Sequence, residues 1–292
     1  LIFIIFFVVM IKDIAYNILG DNYSKMAVHW NQFKTLTYSH IHPFKYDKER
    51  YESTFLMNNS QIKTISTNPV DRVIYIFWTG HNEITPNRMK GIKSLENVAQ
   101  VEVKLISPDN LKDYLVDEDP LPEAYQYLSY VHKSDYLRSY FMFHHGGGYA
   151  DIKTFDHSWI SAFDLLDDSK DAQMVGYPEV GFWGVANHGI VNGNLRKDLY
   201  YYWRYLIGNC AFIFRPHSAI ADEWHTEAKR RLEALTPILR NHPATDPFGT
   251  NSDYPVVWAS LMGELLHPLC LKYHETILKD KNLLPCFQEN WR

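Results

Sequence analysis

The stretch Val73–Ile106 reads as strand, helix, strand, and that order constrains the fold more than any other feature of the chain. Val73–Trp78 (VIYIFW) is a short apolar run rich in β-branched and aromatic residues, which suits a buried strand. Thr79-Gly80 ends it, Pro86–Gln100 reads as a helix, and Val101–Ile106 (VEVKLI) alternates as a second strand before a Ser-Pro-Asp turn. A βαβ unit of this spacing implies a parallel sheet. Further strands are expected at Ala172–Tyr177 and Cys210–Phe214, a long helix at Ala219–Leu235 and another helix at Tyr254–Leu266. A length of 292 residues suits one large domain with small additions, so residues 71–292 read as a single α/β domain.

Composition argues against several functions. The net charge is −5 and no long basic run is present, which speaks against nucleic acid as a partner. The apolar fraction is 46% with a mean hydropathy of −0.31, enough for a sizeable core but not for a multispan membrane protein. Aromatic residues make up 15%, a richness that serves either a large core or stacking on sugar and base rings. Cys210, Cys270 and Cys286 fit no zinc spacing and no disulfide framework; at most one pair forms, Cys270 with Cys286. No Gly-x-Ser-x-Gly, His-Glu-x-x-His, Walker or dinucleotide glycine pattern occurs.

The N-terminal residues Leu1–Ile11 (LIFIIFFVVMI) are uninterrupted apolar until Lys12 and Asp13. A spanning helix needs about 20 such residues. A chain that begins with Leu reads as a truncated single-pass membrane anchor over residues 1–20, with a signal-peptide remnant or a buried element as the other readings. Residues 21–70 read as a stem with a helix or two, ending at Asn68-Pro69. Acceptor patterns for N-glycosylation at Asn22 and Asn58 fit a membrane-associated protein of Golgi or ER type II topology, with the α/β domain itself soluble.

The chemistry concentrates in His132–Phe155, HKSDYLRSYFMFHHGGGYADIKTF. Ser134 can cap a helix, which sets Asp135 and Arg138 on one face of its first turn. Alone, that pair is equally a surface ion pair at a helix N-terminus. The residues after it tilt the balance toward a site. Gly146-Gly147-Gly148 stops the helix and lets backbone pass close to a ligand, and an extended Tyr149–Lys153 delivers Asp151 to a strand's carboxyl end, where open α/β sheets bind ligands. In an extended segment Asp151 and Lys153 point to the same side. A carboxylate there can hold a metal or ribose hydroxyls, and a cation can neutralise a diphosphate. His132, His144, His145 and His157 crowd the same region as candidate metal ligands, but the adjacent His144 and His145 project in different directions from a helix.

This segment resembles the donor-site core of GT-A-fold glycosyltransferases. It is most similar to the group of initiating mannosyltransferases, capsular polysaccharide transferases and clostridial glucosylating toxins. Their S-D-x-x-R helix, paired glycines with a Tyr, and Asp-x-Asp pair are met by Ser134, Asp135, Arg138, Gly147, Gly148, Tyr149 and Asp151, with Lys153 at the second Asp. The first strand, ending in Trp78, and Asn209 before an apolar strand are also similar. The resemblance implies a GT-A-like Rossmannoid domain with a central, mostly parallel mixed sheet flanked by helices. It implies hexose transfer, with retention, from a UDP- or GDP-sugar to a glycan or other hydroxyl acceptor. Trp78 would flank the base, Thr79 and Gly80 line the nucleotide pocket, and Asp135 and Arg138 hold donor hydroxyls and phosphate. Gly147, Gly148, Tyr149 and Asn209 would complete the donor site, and Asp151 would bind ribose or a metal. Family members use Mn2+ or Mg2+ on the second Asp, so Lys153 leaves three readings open: its ammonium replaces the metal, Asp156 completes a metal site, or binding survives without catalysis. The last corresponds to a non-catalytic carbohydrate or nucleotide-sugar binder. A glycoside hydrolase would need a second carboxylate that the sequence does not place beside Asp151.

Overall fold

The computed structural model describes residues 21–287. Among them, six strands form one sheet in the order β2-β1-β3-β5-β4-β6: β1 (Val73–Phe77), β2 (Glu102–Ile106), β3 (Gly147–Ala150), β4 (Met174–Pro178), β5 (Ile207–Phe214) and β6 (Ile277–Lys279). Only β5 runs against its neighbours, so the sheet is mixed but mostly parallel, as expected. Helices α1 (Asp21–Ile41), α2 (Pro86–Val98), α3 (Tyr130–His144), α4 (Ile160–Asp167), α5 (Gly193–Tyr201), α6 (Ala219–Leu239) and α7 (Gly263–Lys272) surround it.

The continuous apolar run of β1 is explained by burial on both faces. Tyr75 and Phe77 join Tyr149, Phe212 and Phe214 under α3, α6 and α7, while Ile74 and Ile76 join Val175, Ala211 and Ile213 under α2 and α4. The period of two along each strand thus divides the interior into two layers, giving a Rossmann-like α/β domain. The segment read as a stem contributes to the first layer, because Tyr51 and Leu56 are fully buried in it.

Two element boundaries move. α3 begins at Tyr130, capped by Ser129, whose Oγ accepts from His132 N at 3.2 Å; Ser134 therefore lies inside the helix and Asp135 in its second turn. Of the helix expected at Tyr254–Leu266, only the last residues are helical. Pro255 disfavours helical backbone at Tyr254, turns occupy 257–262, and the helix instead runs Gly263–Lys272. The cysteines are free and the expected Cys270–Cys286 pair does not form, Cys270 being buried in the core. No helix among the described residues is long and apolar enough to cross a membrane, and the anchor expected at residues 1–20 lies outside them.

Candidate active site

The chain leaves β1 toward β2 on one side and returns to β3 on the other, so a topological switch lies between β1 and β3. In open α/β sheets ligands bind outside the carboxyl ends of the strands at such a point. Trp78 follows β1 and Asp151 follows β3, and both line a cavity of about 390 Å³ there. Thr79, Gly80, Arg138 and Tyr149 line it too.

Asp151 is the hub. Its amide still pairs with Cys210 O at 2.7 Å, extending the β3–β5 ladder, and then Lys153 N turns back to Asp151 O at 2.7 Å. That tight turn replaces the extended Tyr149–Lys153 expected from sequence, and it swings the Lys153 ammonium onto Asp151 Oδ2. Asp151 Oδ1 accepts from Tyr149 Oη at 2.7 Å and lies 3.1 Å from Arg138 Nη2. Arg138 in turn lies over the Tyr149 ring at 4.5 Å, donates to Asn209 O at 3.1 Å and stands 3.4 Å from Asp135. Four charged groups from α3 and the turn after β3 thus share one largely buried knot, of which Arg138 and Asp151 line the cavity while Asp135 and Lys153 lie behind them.

Its electrostatics are uneven. Burial opposes the ionised form of Asp151, yet Lys153 and Arg138 outweigh it and hold the carboxyl well below the usual range. Asp135 has less help: burial pushes it up to about 6, with Arg138 pulling down and Asp151 pushing up. Lys153 stays protonated because Asp151 overcomes the cost of burial. Arg138 Nε is buried without a hydrogen-bond partner among the described residues.

The other expected site residues divide. Trp78 is half-buried, its Nε1 donating to Asn82 O at 2.7 Å, and Thr79 Oγ1 donates to Tyr130 O at 2.6 Å. At Gly80 a Cβ would meet the Tyr130 ring at 2.4 Å, so glycine lets α3 approach the loop. Gly147 (φ 74°) and Gly148 lie under β1 and Trp159, where a Cβ would stand 3.0 Å from Val73 O or the Trp159 ring. Their small size serves that packing; neither is among the cavity-lining residues. Asn209 contributes its carbonyl to Arg138. Asp156 is not brought to Asp151 but accepts from Cys286 Sγ at 2.8 Å. A divalent cation on Asp151 would therefore meet one carboxylate already held by two cations, a poor donor set for Mn2+ or Mg2+.

Of the four histidines expected near the site only His144 joins a separate cluster, while His145 Nε2 lies 2.8 Å from Tyr114 O. His144 Nε2 and His225 Nε2 reach Asp119 Oδ2 at 2.9 and 2.6 Å, with Lys229 on Oδ1. These are metal-type ligands within 4.8 Å of one another. However, Lys229 already neutralises Asp119, and His225 Nδ1 is buried without a partner among the described residues, whereas a metal-bound imidazole hands its second N–H to an acceptor. The cluster therefore reads as a structural tie. His132 stands apart, near Ser129 and Tyr254, and burial pushes its pKa down to about 4.

Arg88, Tyr130, Phe248 and Trp258 are among the residues that line the cavity without having been singled out by sequence pattern. A signal for Arg88 exists: it sits in the first turn of α2, which starts at the carboxyl edge of β1 behind the Thr85 cap, and its Nη1 donates to Ile152 O at 2.7 Å. Phe248 and Trp258 come from the turn-rich segment before α7, which carries no periodic pattern.

A family model described as capsular polysaccharide synthesis protein matches residues 27–173, half of the chain and all of the α3–β3 segment. No curated protein and no solved structure matches the chain.

Proposed function

The chain belongs to the capsular polysaccharide synthesis protein family, and we propose that within it this protein is a GT-A-like glycosyltransferase that moves a hexose from a UDP- or GDP-sugar to a hydroxyl of a glycan or other acceptor. One observation carries this reading: the Asp151 carboxylate, gripped by Arg138 and Lys153, opens on a cavity walled by Trp78. Trp78 offers a ring for the base, and Asp135 and Asp151 offer carboxylates for sugar hydroxyls. Arg138 and Lys153 supply fixed positive charge where a departing diphosphate needs it, and such preorganised charge is the main means of lowering the barrier to a reaction of this kind. In the transfer, the anomeric carbon–phosphate oxygen bond breaks with its electron pair going to the diphosphate. The acceptor oxygen bonds to that carbon, and its proton passes to the leaving phosphate or solvent. In this scheme Lys153 takes the place of the metal that the resemblance implies. Retention rests on the resemblance alone.

A screen of nucleotide sugars for thermal stabilisation, each with manganese and with EDTA, tests the assignment. One donor should raise the melting temperature equally in both conditions, and that donor should be turned over with EDTA present. Stabilisation by no nucleotide sugar would sink the proposal; strict dependence on manganese would remove Lys153 from its role. The same pairing favours a second reading, a sugar-nucleotide binder without turnover, because both Asp151 oxygens are already engaged by protein groups. Stabilisation by a donor with no transfer or hydrolysis across many acceptors would select it.

A further inference from the structure

Helix α1 is built inside out. The face that docks on the domain is polar and aromatic: Asn31 accepts from Tyr200 Oη at 2.7 Å, and fully buried Thr35 accepts from Trp203 Nε1 at 3.1 Å. Tyr38 packs on Tyr201 with ring centroids 4.0 Å apart. At 3.6 residues per turn, Met26, Trp30, Phe33 and Ile41 fall within an arc of roughly 80° opposite Thr35. They are 60%, 64%, 59% and 63% exposed, and Leu36 beside them is 51% exposed. A groove of about 300 Å³ between Trp30, Phe33, Ile41 and Tyr201 carries the apolar surface onto α5. Contiguous apolar surface of this kind marks an interaction site.

Charge selects the partner. Between Lys25 and Lys45 the sequence carries Lys25, Lys34 and Lys45 and no Asp or Glu, within a chain of net charge −5. Lys25 and Lys34 fall on opposite flanks of the apolar arc. The one acid of α1, Asp21, lies before the stripe, so a second copy laid on Met26–Ile41 would bring lysines together with no carboxylate within the stripe to pair them, whereas an anionic lipid surface meets them with opposite charge. We propose that α1 lies in the interface of an anionic lipid bilayer. Its Met26–Ile41 stripe enters the acyl-chain boundary, Trp30 sits at headgroup level, and Lys25 and Lys34 reach the phosphates. The helix is fastened through Trp203, on the turn that leads into β5 at the edge of the sheet where Trp78 and Asp151 emerge. The active-site edge is thereby tied to the membrane-facing helix.

The test is co-sedimentation of the full chain with vesicles of phosphatidylcholine alone and of phosphatidylcholine mixed with phosphatidylglycerol. The wild type should bind the mixed vesicles and lose binding at high salt. Trp30→Ser with Phe33→Ser should weaken that binding at least about ten-fold while circular dichroism stays unchanged. Lys25→Gln with Lys34→Gln should weaken binding to the mixed vesicles only. Brominated lipid should quench the wild type more than Trp30→Phe. The proposal is overturned if the wild type binds neither vesicle. It is equally overturned if the serine variant binds as well as the wild type, which would place all affinity in residues such as Leu1–Ile11. Conversion of a lipid-free dimer to a monomer by the serine substitutions, with vesicle binding intact, would assign the stripe to a second copy and overturn it too.

Discussion

Helix α3 carries two charge clusters, one at its middle and one at its C-terminal end, and they differ in what they face. At the middle Asp135 and Arg138 join Asp151 and Lys153; at the C-terminal end His144 joins Asp119, His225 and Lys229. Both central carboxyls are held well below the usual range. At Asp151 this happens against burial through Lys153 and Arg138; at Asp119 the His225 hydrogen bond leads, with Lys229 and His144 helping it outweigh burial. The Asp119 cluster closes on itself. It fastens the turn at Val116–Asp119 to α3 and α6, aided by Tyr140, whose hydroxyl accepts from Val116 N at 2.7 Å and donates to Asp119 O at 3.1 Å. The Asp151 cluster instead brings Asp151 and Arg138 to the wall of a cavity and holds Asp135 on the edge of protonation, while each cluster keeps one buried nitrogen, Arg138 Nε or His225 Nδ1, without a partner among the described residues. Chemically similar knots thus divide by placement: one holds elements together, the other presents charge to a space a ligand can fill.

Asp151→Asn breaks the comparison most severely if it is mistaken. Transfer should fall by a factor of about 1,000 or more, some 4 kcal/mol of transition-state stabilisation, with the far-ultraviolet spectrum unchanged. Near-normal turnover would remove Asp151 from the chemistry.

Asp119→Ala should do the converse. Taking the carboxylate from a part-buried cluster strands two imidazoles and an ammonium, a loss of about 2–3 kcal/mol and a melting point lower by roughly 5 °C or more. Donor-induced stabilisation should persist in the variant. Loss of donor binding with an unchanged melting point would show that Asp119, not Asp151, belongs to the site.

Lys153→Met sharpens the contrast within the site. Removing the ammonium should lower the turnover rate about 10- to 100-fold, with a smaller change in donor KM, because its charge matters most as the diphosphate departs. Manganese should not restore the rate, since Arg138 and one carboxylate remain a poor cation site. Restoration by manganese would mean that the metal site survives and Lys153 merely occupies it.

The same contrast explains how much of the molecule is legible in its sequence. The βαβ order and the placing of Trp78 and Asp151 at strand ends come from local pattern and general rules of sheet topology, whereas the switch between β1 and β3 emerges only with the strand order. Asp151 and Lys153 are legible as a pair because they are near neighbours, although their contact comes from a tight turn and not from an extended strand. The Asp119–His225 pair is hidden for the opposite reason: the partners are 106 residues apart, and only the packing of α3 on α6 brings them together. Nothing local distinguishes Ser134 from Ser129 as a helix cap. Ser129 is favoured by Tyr254, whose hydroxyl accepts from the Ser129 amide at 3.2 Å only once the fold has formed. The sequence pattern points Gly147 and Gly148 at a ligand, while their clearest constraint is the close approach of Val73 and Trp159.

The smallest effect separates the two clusters along α3 by the sign of their pH dependence. Asp119 has a depressed folded-state pKa, so its stabilisation is complete above the unfolded value of about 3.9 and is lost as pH falls further. Asp135 is raised to about 6, so its contribution is complete below about 3.9 and is lost as pH rises through 6. Between pH 4 and 6 Asp135 should therefore take roughly 1–2 kcal/mol from stability as pH rises, once coupling to Arg138 and Asp151 is allowed for, set against the opposite slope of buried His132 and His267, whose pKa values are pushed down to about 4. Asp135→Asn should make stability rise more steeply with pH between 4 and 6 than in the wild type and leave the acid limb below pH 4 intact, whereas Asp119→Ala should flatten the acid limb and leave the slope between pH 4 and 6 as in the wild type. Denaturant melts of both variants across pH 3 to 7 read the two limbs separately. An unchanged slope in Asp135→Asn would mean that Arg138, 3.4 Å away, keeps Asp135 ionised throughout, and that the two clusters are electrostatically alike after all.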